Sequence, residues 1–329
     1  MTAAVIGAGS WGTALAIHLV RQGVPTRLWA REPEVVAGIR ECRRNPWFLS
    51  DLDLPPGLDA TGDAAHAVDG AELVLMAVPS EFVDATTKRL GPPRPGVPIM
   101  SATKGLDPVS HLRMSEVLAE RFPAAPVAVL SGPTFAREVA LGRPTAAVVA
   151  ARDTELARAL QQRLGSREFR LYTNGDVIGV EAGGALKNVI AIATGISDGL
   201  GLGDNARAAL VTRGLAEITR LAVALGGAAT TLAGLAGMGD LVLTCVGGLS
   251  RNRSLGIALA QGKTVAEVEG ASRMVAEGVR TVTSALALAR RHGVSMPICS
   301  EVAAVLFEAK APSAALASLL GRAATREDA

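Results

Sequence analysis

Apolar runs and polar punctuation alternate through the first half of the chain and give way to longer-period stripes in the second. Residues 3–6 (AAVI) form a short apolar run, then a glycine-rich turn, then TALAIHLVRQG, whose apolar positions recur at three and four. That reads as strand, turn, helix. Further runs of strand length stand at 26–30, 72–78, 97–102, 127–130, 145–150 and 168–173, with a helical pattern at 154–164. Strands that alternate with helices predict the α/β class with a mostly parallel sheet. After Asn174 the strand pattern stops. Helical patterns then follow at 176–196, 206–225, 255–261, 265–269, 281–292, 300–307 and 314–319. Asn174-Gly175 therefore marks an expected boundary between a sheet domain, 1–174, and an all-helical domain, 175–329. Residues 40–56, with Arg43, Arg44 and several prolines, fit neither period and read as a loop.

The turn after the first run is Gly7-Ala8-Gly9-Ser10-Trp11-Gly12. A G-x-G-x-x-G is informative when a strand precedes it and a helix follows. Gly7 would allow the tight turn, Gly9 the approach of a pyrophosphate, and Gly12 close helix–strand packing; the helix N-terminus would supply N–H donors. A dinucleotide site is expected there rather than an ordinary glycine turn. The second strand runs out into Arg31-Glu32. An acid at the first of these positions suits the ribose hydroxyls of NAD, whereas an arginine suits a 2′-phosphate. NADP(H) is favoured over NAD(H), the bland alternative being a surface arginine.

One stretch of the second half stands apart. Between Val180 and Asp204, Lys187 sits among Gly, Ala, Val and Ile. A helix places Gly183, Gly184, Ile190, Ala191 and Thr194 beside it, a flank with little side chain that leaves room for another molecule near the ammonium. Two readings fit: helix packing with a lysine stem that reaches water, or a catalytic lysine facing a cleft. Only five of the 33 basic residues are lysines, Lys88, Lys104, Lys187, Lys263 and Lys310. The chain otherwise uses arginine, which cannot release its proton, so a lysine in an apolar setting favours the catalytic reading.

Composition narrows the partners. A net charge of +2 and 3% aromatic residues give no basic surface or stacking platform for nucleic acid. Cys42, Cys245 and Cys299 are sparse and odd in number, without C-x-x-C or a neighbouring histidine, which suits reduced thiols in a cytoplasmic protein and no metal site. The chain opens on a strand pattern rather than a basic region, so no signal peptide is expected. The uncharged run 221–239 is long enough to raise a membrane span, but five glycines, two of them paired at Gly226-Gly227, suit a turn better. No stable membrane insertion is expected.

Other candidates lie where strands end. Lys104 follows the 97–102 run and Ser131-Gly132-Pro133-Thr134 the 127–130 run, at the carboxyl edge where parallel sheets bind ligands. A second cluster reads as a loop from Gly237 through Asp240 and Thr244 to Ser250-Arg251-Asn252-Arg253. Its arginine fork and small polar groups suit a phosphate; the alternative is a helix cap by Ser250 or Asn252 ahead of Leu255.

With these residues assembled, the chain resembles bacterial-type NAD(P)-dependent glycerol-3-phosphate dehydrogenase. The matching motifs are GAGSWGTALA, SATKGL, LSGPTFAREVA, the long block GGALKNVIAIATGISDGLGLGDNARAALVTRGLAE, GMGDLVLTC, SRNR and VAEG, in order from Gly7 to Glu277. The resemblance implies a Rossmann-like domain followed by a helical one, and reversible reduction of dihydroxyacetone phosphate to sn-glycerol 3-phosphate for glycerophospholipid synthesis. It implies Lys187 as general acid/base. It implies substrate contacts at Lys104, Gly132, Thr134, Asn188, Asp240, Ser250, Arg251 and Asn252. Cofactor contacts are implied at Ser10, Trp11, Arg31, Lys104, Ala136, Arg251, Val275 and Glu277. Two places depart from the family pattern: Val246-Gly247-Gly248-Leu249, usually more polar, and the 45–54 loop, with Phe48 where tyrosine is common. A 3-hydroxy-acid dehydrogenase or a non-catalytic nicotinamide-binding regulator would share the turn and the fold; the first has less use for SRNR and the second none for Lys187. A homodimer is the default for an enzyme of this length.

Overall fold

The structure is a computed structural model that describes residues 1–270 and 276–322. Among them, eight strands form one sheet: β1 (Ala3–Ile6), β2 (Thr26–Trp29), β3 (Leu58–Thr61), β4 (Leu73–Met76), β5 (Ile99–Ser101), β6 (Val127–Ser131), β7 (Thr145–Ala150) and β8 (Phe169–Asn174). Their order is β3-β2-β1-β4-β5-β6-β7-β8, parallel throughout except for the β6–β7 pair. The central strands are buried along their whole length, as apolar runs without alternation require. Strand β3 has no counterpart among the expected elements. Its four residues, LDAT, include a single large apolar side chain, and pairing with β2 rather than pattern makes it a strand.

Helices α1 (Ser10–Arg21), α2 (Pro33–Cys42), α3 (Ala64–Val68), α4 (Val83–Leu90), α5 (Met114–Arg121), α6 (Ala136–Ala140) and α7 (Thr154–Leu164) cover the sheet, with a 3-10 turn at Ser80–Phe82. Two apolar cores lie against it: one takes Val5, Leu28 and Leu75, the other Ile6, Met76 and Ile99. These alternate along the strands, so the cores occupy opposite faces. The 40–56 stretch is partly the end of α2. The rest is anchored by Asn45, fully buried, whose Nδ2 donates to Ala8 O at 2.8 Å and Thr13 Oγ1 at 2.9 Å. Its Oδ1 accepts from the Trp47 and Phe48 amides, so one asparagine ties this segment to the glycine-rich turn.

The second half is helical: α8 (Val177–Gly199), α9 (Gly203–Ala224), α10 (Ala229–Leu232), α11 (Asp240–Val246), α12 (Arg251–Ala260), α13 (Val265–Gly270), α14 (Glu277–His292), α15 (Pro297–Phe307) and α16 (Pro312–Leu320). Helix α8 is its axis. It is long and apolar enough to cross a membrane by composition, but 94% of that window is buried inside the protein. The 221–239 run instead breaks at Leu225, with Gly226 at φ +95°, into separate helices. The stretch from Gly237 to Thr244, expected as a loop, is helical: a π-helical turn, Leu235–Gly239, runs straight into α11. A Cβ on Gly237 would lie 2.1 Å from Leu232 O, so this glycine lets the turn pack against α10.

Polar clasps join the halves. Glu181 of α8 accepts from the Ser115 amide at 2.8 Å and from Arg113 Nη1 at 3.0 Å. Glu277 of α14 accepts from the Ser80 amide at 3.1 Å and Ser80 Oγ at 2.7 Å. Ser284, also on α14, donates to Asp107 O at 3.1 Å.

Candidate active site

Lys187 lies midway along α8, and its side chain is 8% exposed. Nζ donates to Asp240 Oδ1 and, at 2.9 Å, to Thr244 Oγ1. The other oxygen of Asp240 accepts from Lys104 Nζ at 2.7 Å. Lys104, just beyond β5, also donates to Gly132 O at 2.7 Å and Thr134 Oγ1 at 3.0 Å on the turn after β6. One buried carboxylate thus bridges two ammonium groups, one from the long helix and one from the carboxyl edge of the sheet.

The arrangement sets the acidity of Lys187. Burial penalises the ammonium and pulls its pKa down from 10.5 to about 7. Asp240 opposes that shift and Lys104 adds to it. Thr244 donates its own hydroxyl proton to Asp240 O at 2.6 Å, so it can only accept from Lys187. An ammonium has three protons, and Asp240 and Thr244 take two of them.

The glycines near Lys187 serve close packing, as the helix-packing reading has it. A Cβ on Gly183 would lie 2.5 Å from Ala236 O, and one on Gly184 would lie 2.6 Å from Ser131 Oγ. The bare flank is filled by the π-helical turn and by the end of β6. The glycines are packing residues, and they are what brings Asp240 within reach of the lysine.

The SRNR segment divides its work. Ser250 caps α12, its Oγ accepting from the Arg253 amide at 3.2 Å, which bears out the cap reading for that oxygen. Arg253 Nε is held by Asp198 at 2.6 Å, and Asp198 also takes Arg207 Nε at 2.8 Å. Asn252 Nδ2 donates to Asn188 Oδ1 at 2.9 Å, and its Oδ1 accepts from the Gly278 amide at 3.0 Å. Arg251 has no hydrogen bond or ion pair among the described residues. Arg251 is exposed, and Glu277 attracts its charge. It stands at the first turn of a helix that carries no acid there.

The cofactor candidates follow β1 (Gly7 to Gly12), β2 (Arg31), β5 (Lys104) and β6 (Ala136), or start α12 (Arg251) and α14 (Glu277). Gly7 has φ +109°, and a Cβ on Gly12 would come within 1.8 Å of Gly7 O. A Cβ on Gly9 meets nothing within 4 Å, so the turn leaves open the space a pyrophosphate needs. The residues present fit a dinucleotide. Ser10 starts α1; Trp11 Nε1 donates to Ala102 O at 3.1 Å, which ties α1 to the strand before Lys104. Arg31 follows β2, pairs with Glu32, and its guanidinium lies 5.7 Å from the centre of the Phe82 ring. Ala136 begins α6, packed against the same core as Trp11. Glu277 is engaged by Ser80, and Val275 lies outside the described residues. No group of three or more His, Cys, Asp or Glu suited to a metal occurs among the described residues.

Sequence reading passed over Asn45, Ser80, Phe82, Asp198 and the bond from Thr244 to Lys187. Each makes a contact across 32 or more residues of chain, which no local period registers; the signal nearest to hand was that GMGDLVLTC spaces Asp240 and Thr244 one helical turn apart.

Comparison with known proteins shows the family. Two family models match: the NAD-dependent glycerol-3-phosphate dehydrogenase N-terminus over residues 2–157 and the C-terminus over 176–317. Glycerol-3-phosphate dehydrogenase [NAD(P)+] of Koribacter versatilis is 53% identical over 98% of both chains. That of Rhodospirillum rubrum is 53% identical over 97% of this chain and 92% of its own. The crystal structure of glycerol-3-phosphate dehydrogenase from Coxiella burnetii superposes with a TM-score of 0.94 at 42% identity, covering 98% of this chain and 99% of that one. The chain belongs to the NAD-dependent glycerol-3-phosphate dehydrogenase family.

Proposed function

We propose that this protein is an NAD(P)-dependent sn-glycerol-3-phosphate dehydrogenase that interconverts dihydroxyacetone phosphate and sn-glycerol 3-phosphate, with Lys187 as general acid/base. The observation that carries the proposal is the buried Lys187–Asp240–Lys104 bridge at the carboxyl edge of the sheet, with the pKa of Lys187 near 7. A general acid works best when its pKa lies near the working pH.

The nicotinamide, when bound, supplies or receives the hydride. The third proton of Lys187 Nζ faces the carbonyl oxygen of the substrate, stabilises the charge that grows there and is then transferred. In the reverse direction neutral Lys187 takes the hydroxyl proton. Asp240 fixes both lysines without competing for substrate, since both of its oxygens are occupied. Lys104, held by Gly132 and Thr134, keeps positive potential beside the same oxygen. Arg251, at a helix N-terminus and without a hydrogen bond or ion pair among the described residues, binds the phosphate, where guanidinium and helix dipole both favour a dianion. Ser250 keeps its hydroxyl proton for the same group, and the Asn188–Asn252 pair orients the glycerol part. Ser10, Trp11, Ala136 and Glu277 hold the coenzyme over the glycine-rich turn, and Arg31 lies at the adenosine ribose, which favours NADP(H).

The reading extends to a coenzyme domain over 1–174 and a substrate domain over 175–329, supported by the end of β8 at Asn174 and by the two separate family models. It also includes a homodimer in the cytoplasm, where three free cysteines are at home, and a product used as the backbone of glycerophospholipids.

The test is coenzyme consumption by the purified protein with dihydroxyacetone phosphate, with NADPH and NADH in parallel. Oxidation of either coenzyme dependent on the ketone supports the assignment. No oxidation with either, in folded protein that binds NADPH, overturns it.

A further inference from the structure

We propose that Glu32 sets the choice of coenzyme by holding Arg31 in an ion pair that a 2′-phosphate must disturb and a 2′-hydroxyl need not. The proposal rests on the reading above that Arg31 lies at the adenosine ribose. Arg31 Nε and Nη2 both point at Glu32 Oε1, at 2.9 Å and 2.7 Å, so one edge of the guanidinium fork is spent on the neighbouring side chain. The guanidinium is steadied over Phe82, just after β4. The arginine is 62% exposed and the carboxylate 24%, so the acid is the more sheltered of the two and the cation is the part an incoming group meets. Glu32 Oε2 carries no hydrogen bond among the described residues.

These features treat the two coenzymes differently. A 2′-phosphate dianion meets an arginine that is already half satisfied, with a like charge next to it. A ribose diol meets a carboxylate oxygen with a free lone pair, the acceptor that NAD sites use. Arginine cannot relieve the conflict by losing its proton. The pair therefore admits both coenzymes and holds NADP(H) less tightly than a lone arginine would. The residue that decides the balance is the acid, although the arginine is the one that touches the phosphate.

The experiment compares kcat/KM for NADPH and NADH, with dihydroxyacetone phosphate saturating, in the parent, Glu32→Gln, Arg31→Ala and the double variant. Glu32→Gln keeps the shape and removes the charge. The NADPH/NADH ratio should rise about three- to tenfold, partly through weaker NADH, as expected for release of an exposed ion pair and of a repelling charge. In the Arg31→Ala background the same substitution should move the ratio much less, because the cation it acts through is gone. Binding of 2′,5′-ADP by calorimetry should tighten in Glu32→Gln, a readout independent of turnover. An unchanged or lower ratio in Glu32→Gln overturns the inference, as does an equal rise without Arg31. If neither coenzyme is oxidised by the parent, the function itself is wrong, a failure distinct from an unmoved ratio in an active enzyme.

Discussion

Reduction of dihydroxyacetone phosphate should slow as pH rises through about 7, and the reverse oxidation should quicken over the same range. Reduction needs Lys187 charged and oxidation needs it neutral, so one titration drives the two directions oppositely. The distance from 10.5 down to about 7 corresponds to about 5 kcal/mol by which the folded protein disfavours the ammonium. Burial is the main cause, Lys104 adds to it, and Asp240 offsets part. The sign for stability follows. Between about pH 7 and 10.5 the unfolded chain holds this proton and the native protein does not, so this group makes the fold more stable as pH rises there. The assay is kcat/KM for the ketone between about pH 6 and 9.5, which reports the free enzyme. The substrate phosphate itself titrates near 6 and contributes its own limb. Lys187→Arg separates the two: it keeps the charge, cannot release a proton, and should lose about 10²- to 10⁴-fold in rate together with the limb near 7, while the limb near 6 stays. A limb near 7 that survives in Lys187→Arg, or parental turnover in that variant, would refute the acid/base role.

Two further substitutions probe the ends of the site. Arg251→Ala should raise KM for dihydroxyacetone phosphate about ten- to hundredfold, the worth of one charge-assisted hydrogen bond, with a smaller effect on kcat; an unaltered KM would remove Arg251 from the phosphate site. Gly12→Ala places a Cβ 1.8 Å from Gly7 O and should lower Tm by about 5 °C or more. Gly9→Ala, whose Cβ meets nothing within 4 Å, should leave Tm in place and weaken coenzyme binding; equal losses of Tm in both would contradict the open cradle.

Much of the site was legible locally because its parts are short and carried on single elements. The glycine spacing after β1 needs only a strand and a helix to acquire meaning. Lys187 stood out because the chain otherwise writes arginine and because its neighbours are apolar. Long elements with a clear period, α7, α8 and α9, emerged within a few residues of their expected bounds. Four-residue β3 did not, because a single turn's worth of pattern cannot compete with its polar residues until β2 lies beside it.

What the amino-acid order determined by itself was the class of fold, the glycine-rich turn between strand and helix, and the singling out of Lys187 as the candidate lysine, since each depends on neighbours within about one helical turn. What only the tertiary structure decided was the state of that lysine and the use of everything around it. Asp240 lies 53 residues from Lys187, and Lys104 reaches Asp240 across 136. The glycines suited either packing or the approach of a ligand; in the fold Gly183 lies against the π-helical turn and Gly184 against the end of β6. The reason is general: charge, burial and hydrogen bonding act through space over a few ångströms, and no period along the chain records which distant segments the fold will bring that close.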